Sequence, residues 1–247
     1  MDAATSEIAS ATQSTSLMYT LNHTFGMTTL DILALVFFIA CWKGYAYYTV
    51  HNMAKSNNLL QVTNHYRAQW MRELLKRETR TMDSIMIGNL LRSITFFANT
   101  AIFILFGLVT LLGYHDRAEG IIRNIPYAEP GTGFLWELKI FVLIVIFIYA
   151  FFKHTWSLRQ YNYAGIFVCS LPAANDRSVD HEDLVKKGTA LVSNAAKHFN
   201  LGLRAYYFGL AVLGWFIHPI AFMITTILVV YVTYRREYRS NTLMNLR

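Results

Sequence analysis

The chain has 247 residues, 54% of them hydrophobic, and its four long apolar runs exclude an ordinary soluble domain. The formal charge of +7 is carried by cations that flank those runs, so membrane orientation accounts for it and nucleic-acid binding is not expected. Cys41 and Cys169 have no metal-ligand spacing and no structural disulfide is expected.

Residues 1–26 are rich in Ser, Thr and Ala and contain no Lys or Arg. They read as a mobile tail with a short interfacial helix near 17–19, and the absence of a basic n-region argues against a cleavable signal peptide. A first span is expected over 27–48, with Asp31 near its start and Lys43 near its end. Trp42, Tyr45, Tyr47 and Tyr48 make an aromatic belt at that end. Residues 51–83 are polar and basic. Within them Leu59, Val62, Tyr66, Trp70, Leu74 and Arg77 recur at helical spacing. That predicts an amphipathic helix lying on the membrane surface or on other cytoplasmic helices.

The second span, 87–112, is expected to grow out of that helix, since no Gly or Pro turn intervenes. In DSIMIGNLLRSITFFANTAIFIL, the residues Asn89, Arg92, Phe96, Asn99 and Thr100 share one helical face. Polar groups in hydrocarbon are costly without partners, so this ladder is expected to meet other helices. Arg92 has an ordinary role in snorkelling to lipid phosphates, and Asn99 in an interhelical hydrogen bond. The sharper reading makes the ladder the lining of a cavity or solute path.

A turn-rich loop follows over 114–133. The third span, 134–152, is the most aliphatic and is expected to continue as a helix to 171, where Pro172 stops it. ANDRSVDHED reads as a turn, with Asp180, Glu182 and Asp183 crowding the first turn of the next helix. Leu184, Gly188, Leu191, Val192, Ala195 and Phe199 line one face of that helix. The last apolar region, 205–234, is longer than the roughly 20 residues one span needs, and Gly214 and Pro219 interrupt it. It reads either as one kinked span or as a helical hairpin. Charge counting favours the hairpin. Seven Lys and Arg fall in 51–92, seven in 153–204 and four after Tyr234, against none in the N-terminal tail and two in 114–133. A hairpin puts all three basic groups on the cytoplasmic side.

WSLRQYNYAG (156–165) concentrates polar and aromatic groups. Trp156, Gln160 and Tyr163 share one face; Thr155, Arg159 and Asn162 share its neighbour. This is a buried structural network, an interfacial belt, or a cytoplasmic anion or lipid-headgroup site with Arg92 and Arg204 nearby. Gly202, Ala205 and Gly209 are expected to form a close-packing seam against the second span. Asp31, Glu137 and Lys139 cluster near the outer interface, where they pair with one another or relay protons. His218, before Pro219, reads as a cap or an interfacial residue. No HExxH or other close metal-ligand His pair occurs among the eight His, and no GxSxG, P-loop or CxxC, so no cofactor and no catalytic activity is expected.

Three stretches, RETRTMDSIMIGNLLRSITFFANTAIFIL, WSLRQYNYAG, and LRAYYFGLAVLGWFIHP with the following YRREYRS, together resemble the domain-of-unknown-function family 599, multi-pass membrane proteins found in bacteria and plants. The resemblance spans 27–240. It implies an integral membrane protein without an assigned activity and carries no catalytic residue onto this chain.

The expected fold is an all-α, polytopic membrane bundle: three spans plus a C-terminal hairpin, with helices extending into the cytoplasm. Residues 27–240 form a single membrane domain between tails 1–26 and 241–247, in the cell inner membrane, with the N-terminus outside and the C-terminus inside. The expected function is that of a structural or accessory protein binding membrane lipid, a second copy or a membrane-protein partner through basic cytoplasmic helices. The alternatives are a small-solute or ion transporter using the polar face, and more remotely a haem or redox protein. The candidate polar site comprises Arg92, Asn99, Arg159, Gln160, Asn162 and Arg204.

Overall fold

The computed structural model describes residues 27–51, 58–114, 133–174, 176, 178 and 180–246. The expected tail over 1–26, with its helix near 17–19, and nearly all of the turn-rich loop lie outside the described residues. Among the described residues no strand forms. The helices are α1 (Thr29–His51), α2 (Leu59–Leu75), α3 (Thr81–Leu112), α4 (Gly133–Cys169), α5 (His181–Val212), a 3-10 turn (Leu213–Phe216), α6 (Pro219–Tyr238) and α7 (Asn241–Asn245). Three are long and apolar enough to cross a membrane: Thr29–Thr49, Thr81–Leu112 and Gly133–Cys169, with mean hydropathy 1.5, 2.1 and 2.3.

The helix starts follow from local capping chemistry. Thr28 Oγ1 accepts from Asp31 N at 3.2 Å while Asp31 Oδ2 accepts from Thr28 N at 3.0 Å, a reciprocal box opening α1. Asn58 Oδ1 accepts from Gln61 N at 2.9 Å to open α2. Asp180 Oδ1 accepts from Glu182 N and Asp183 N, so the acid cluster there caps α5 as its position suggests.

One boundary differs from the expectation. α3 does not grow out of α2: the helix ends at Leu75, Lys76 caps it, and α3 begins afresh at Thr81. Side chains hold this corner without any Gly or Pro. Trp70 Nε1 and Arg77 Nη1 both donate to the buried Asp83 Oδ1 at 2.7 Å. Arg80 donates to the carbonyls of Leu171 and Pro172 at 2.8 and 2.6 Å, which binds the corner to the end of α4.

The chain divides into two compact units. Of the described residues, the first contains 27–46, 107–114, 133–144 and 208–230; the second contains 47–51, 58–106, 145–174, 176, 178, 180–207 and 231–246. The first is built on aromatic packing. Phe38 meets Phe208 and Phe222 at ring centroid distances of 5.8 and 5.1 Å, and Trp215 stacks on Phe222 at 5.1 Å. The core of the second is mainly aliphatic. Met71 and Leu74 of α2, Ile87 and Ile94 of α3, Ala164 and Val168 of α4, and Val185, Val192 and Ala195 of α5 form one buried cluster. The buried face of α2 is therefore Met71, Leu74 and Leu75 with Trp70 partly covered. Tyr66, expected on that face, is exposed.

The C-terminal region is a hairpin, as the charge count indicates. Its bonds step up one leg as they step down the other. In the first unit Thr225 Oγ1 donates to Ala211 O at 2.8 Å. In the second, Arg204 pairs with Glu237 and Arg236 donates to the Tyr207 hydroxyl at 2.6 Å. The turn needs glycine: a Cβ on Gly214 would lie 2.7 Å from Thr225 Oγ1 and 3.1 Å from Ala221 O. His218 Nδ1 accepts from Ile220 N at 3.1 Å, the capping role its place before Pro219 suggests. Beyond α6, Ser240 caps α7, Leu243 is buried, and Tyr66 donates to Leu246 O at 3.0 Å.

Candidate functional site

The polar ladder of α3 faces away from the rest of the chain. Asn89, Arg92, Phe96 and Asn99 are exposed, and Thr100 is half-buried. This corrects the expectation that the face would meet other helices of the chain. The reason is competition within one helix: Ile87, Ile94, Ala98, Ala101 and Leu108 form the opposite stripe, and that stripe is buried. Several rungs are satisfied locally. Arg92 Nη2 donates to Asn89 Oδ1 at 3.0 Å, and the Thr95 and Thr100 hydroxyls donate to carbonyls one turn back at 2.9 and 2.8 Å.

The other candidates do not converge with Arg92. Arg159 is exposed, with its guanidinium 5.9 Å from the centroid of Trp156. Asn162 is exposed on the same side. Gln160 is buried and accepts from Asn194 Nδ2 at 3.4 Å. Trp156 and Tyr163, expected to share its face, are exposed instead, because α4 turns Ser157, Tyr161, Ala164 and Val168 inward. Ser157 Oγ donates to Ala195 O at 2.7 Å, which sets Gln160 beside α5.

Arg204 has a different setting. Its Nε and Nη2 donate to the two oxygens of Glu237 at 2.6 and 2.7 Å, a fork-to-fork pair that closes the base of the hairpin. The pair borders a cavity of about 230 Å³ in the second unit, lined also by Thr49, Asn58, Leu59, Leu60, Thr63, Arg67 and Asn200. A neighbouring cavity of about 220 Å³ shares Leu59, Asn200, Arg204 and Glu237 and adds Tyr207, Arg236, Ser240 and Thr242. Arg67 reaches back along α2: its Nη1 donates to Thr63 Oγ1 at 3.2 Å and Asn64 Oδ1 at 2.6 Å. Burial lowers the pKa of this guanidinium from its ordinary value, and the Tyr161 phenol opposes the shift. The cavity is thus a set of cationic and amide donors with one carboxylate already engaged. Arg204 is the one member that the sequence singles out. Arg67 lies off the apolar stripe of α2, and Glu237 is hidden among the arginines of YRREYRS.

Two further buried polar centres were read differently from sequence. In the first unit Asp31 and Lys139 meet through Trp215, while Glu137 is exposed. Trp215 Nε1 donates to Asp31 Oδ1 at 2.7 Å, and Lys139 Nζ lies 5.6 Å from the indole centroid. In the second unit Gly202 packs on α4 rather than on α3. A Cβ there would fall 2.6 to 2.9 Å from three ring atoms of His154. It is Tyr206 that reaches α3, donating to Phe97 O at 2.5 Å. His154 is fully buried between Phe97, Phe199 and Tyr206, and neither ring nitrogen has a hydrogen-bond partner.

The family model described as "Protein of unknown function, DUF599" matches residues 33–242. No curated protein and no solved structure matches the chain.

Proposed function

The chain belongs to the DUF599 family, whose description assigns no activity, and we propose that it is a non-enzymatic integral membrane protein, a structural or accessory component that holds anionic lipid through the basic helices of its second unit. The observation that carries this reading is the state of the outward cations. Arg92 and Arg159 are both exposed on helices that run into apolar spans, and among the described residues each is steadied only by a neighbour on its own helix, Asn89 and Trp156. Guanidiniums in that position suit lipid phosphates, and an aromatic beside one suits the interface.

In this proposal the two legs of the hairpin join the three spans in the membrane of the cell. The N-terminus lies outside, and the basic parts of the second unit (α2, the end of α4, the start of α5 and the end of α6) lie on the cytoplasmic side. Lysines and arginines near an anionic leaflet contribute about 1 kcal/mol each to attraction. The test is reconstitution of the full chain into nanodiscs of phosphatidylcholine and phosphatidylglycerol, followed by analysis of the lipid retained after extraction into detergent. Enrichment of phosphatidylglycerol that falls in R92Q/R159Q is expected. Retained lipid of the same composition as the bulk would overturn the proposal.

A further inference from the structure

The two cavities that meet at Arg204 form one recess at the N-terminus of α2, and the charged side chains described on it have a definite balance. Among the described lining residues, Arg67, Arg204 and Arg236 supply three guanidiniums against the one carboxylate of Glu237, a surplus of +2. Arg67 commits Nη1 to Thr63 and Asn64, and its Nε and Nη2 have no partner among the described residues. Asn200 lines both halves of the recess. Leu59 and Leu60, the first residues of α2, line it too, so the positive end of a 17-residue helix lies at the same place. At about 230 and 220 Å³ the halves are below the ~300 Å³ at which drug-sized pockets begin, and suit a small group.

We infer that this recess is a binding site for a phosphate group, whose fork-shaped recognition by guanidinium and negative charge match the donors and the surplus. The phosphate belongs either to a lipid headgroup or to free inorganic phosphate. In the lipid case the inference rests on the membrane-lipid reading above and narrows it from a diffuse basic surface to one recess. Arg67 is the ligand's principal donor. Arg204, held by Glu237, fixes the far wall.

The test uses the full chain in a nonionic detergent, with thermal unfolding followed by tryptophan fluorescence. Sodium phosphate is titrated against sodium chloride at matched ionic strength, and short-chain phosphatidic acid against phosphatidylcholine of the same chain length. The unfolding midpoint is expected to rise with phosphatidic acid if the source is a headgroup, or with inorganic phosphate if it is free, and with neither control. R67Q is expected to weaken the apparent affinity about ten-fold, the loss of one charge-assisted contact. Asn200→Leu fills the recess without changing charge and is expected to weaken it similarly, which covers the case in which R67Q fails to fold. K186Q, an exposed cation outside the recess, is expected to leave it unchanged. No response to either phosphate probe overturns the inference. Equal weakening by R67Q and K186Q also overturns it, and returns binding to the general surface. Conversely, R67Q-sensitive binding without lipid enrichment in nanodiscs leaves the recess standing and removes the surface reading.

Discussion

Glycine 202 offers a sharp test of how the second unit is packed. An ideal Cβ at this position would lie 2.6 Å from His154 Cε1, 2.7 Å from Nε2 and 2.9 Å from Nδ1. The ring cannot withdraw, because Phe97 stacks on it at 5.7 Å and Phe199 and Tyr206 stand edge-on at 5.5 and 5.6 Å. Gly202→Ala should therefore overpack the site, at a cost of about 1–3 kcal/mol. The same change also gains ~0.5–1 kcal/mol from helix propensity. Gly107→Ala in α3 isolates that gain, since a Cβ there meets nothing within 4 Å. The difference between the two variants then reads the overpacking alone. Denaturant unfolding in detergent micelles, followed by tryptophan fluorescence, gives both values. In a His154→Ala background the penalty at residue 202 should vanish. If Gly202→Ala proves as benign as Gly107→Ala in the parent, the packing of α5 on α4 described here is wrong.

Trp215→Phe should destabilise the fold by about 1–3 kcal/mol in the same assay, because Asp31, only 2% exposed, loses its 2.7 Å indole donor; an unchanged stability would mean that Asp31 does not depend on that bond. Asn99→Leu should change the stability of the monomer by less than about 0.5 kcal/mol, as an exposed position does. A loss above about 1 kcal/mol would require another helix on that face. His198 carries a pH prediction. Burial, then Lys153 and Lys197, lowers its pKa, so the folded state favours the neutral ring and the unfolded state binds the extra proton. Its contribution is therefore full above the unfolded value of about 6.5 and is lost as pH falls through that value toward the folded one. Measured from about pH 7.5 down to about pH 5, H198Q should lose less stability than the parent; an equal loss would contradict the assignment.

Helix positions, the α4 end before Pro172, the α5 cap and the hairpin were legible in the sequence because each rests on local chemistry or on charge counts. The break between α2 and α3 was not. It depends on Asp83 gathering Trp70 and Arg77, and on Arg80 reaching carbonyls about ninety residues along the chain. The outward turn of the α3 ladder was missed for a related reason. A wheel shows that Asn89, Arg92 and Asn99 share a face, but Ile87, Ile94 and Ala101 share another, and only packing decides which is covered. Arg204 was legible as a residue, but its partner was not. Folding the hairpin at 213–218 brings Glu237 to its level, and that register is a tertiary fact.

The central proposal is that the basic, non-spanning parts of the second unit lie on the cytoplasmic side, with the hairpin returning the chain there. It is tested most directly by a single cysteine at Arg239, in a chain with Cys41 and Cys169 replaced by Ser. In cells treated with a membrane-impermeant maleimide, the account predicts labelling only after the membrane is opened. Labelling of intact cells would put the end of α6 outside and contradict the topology, the lipid reading and the hairpin's place in the membrane together.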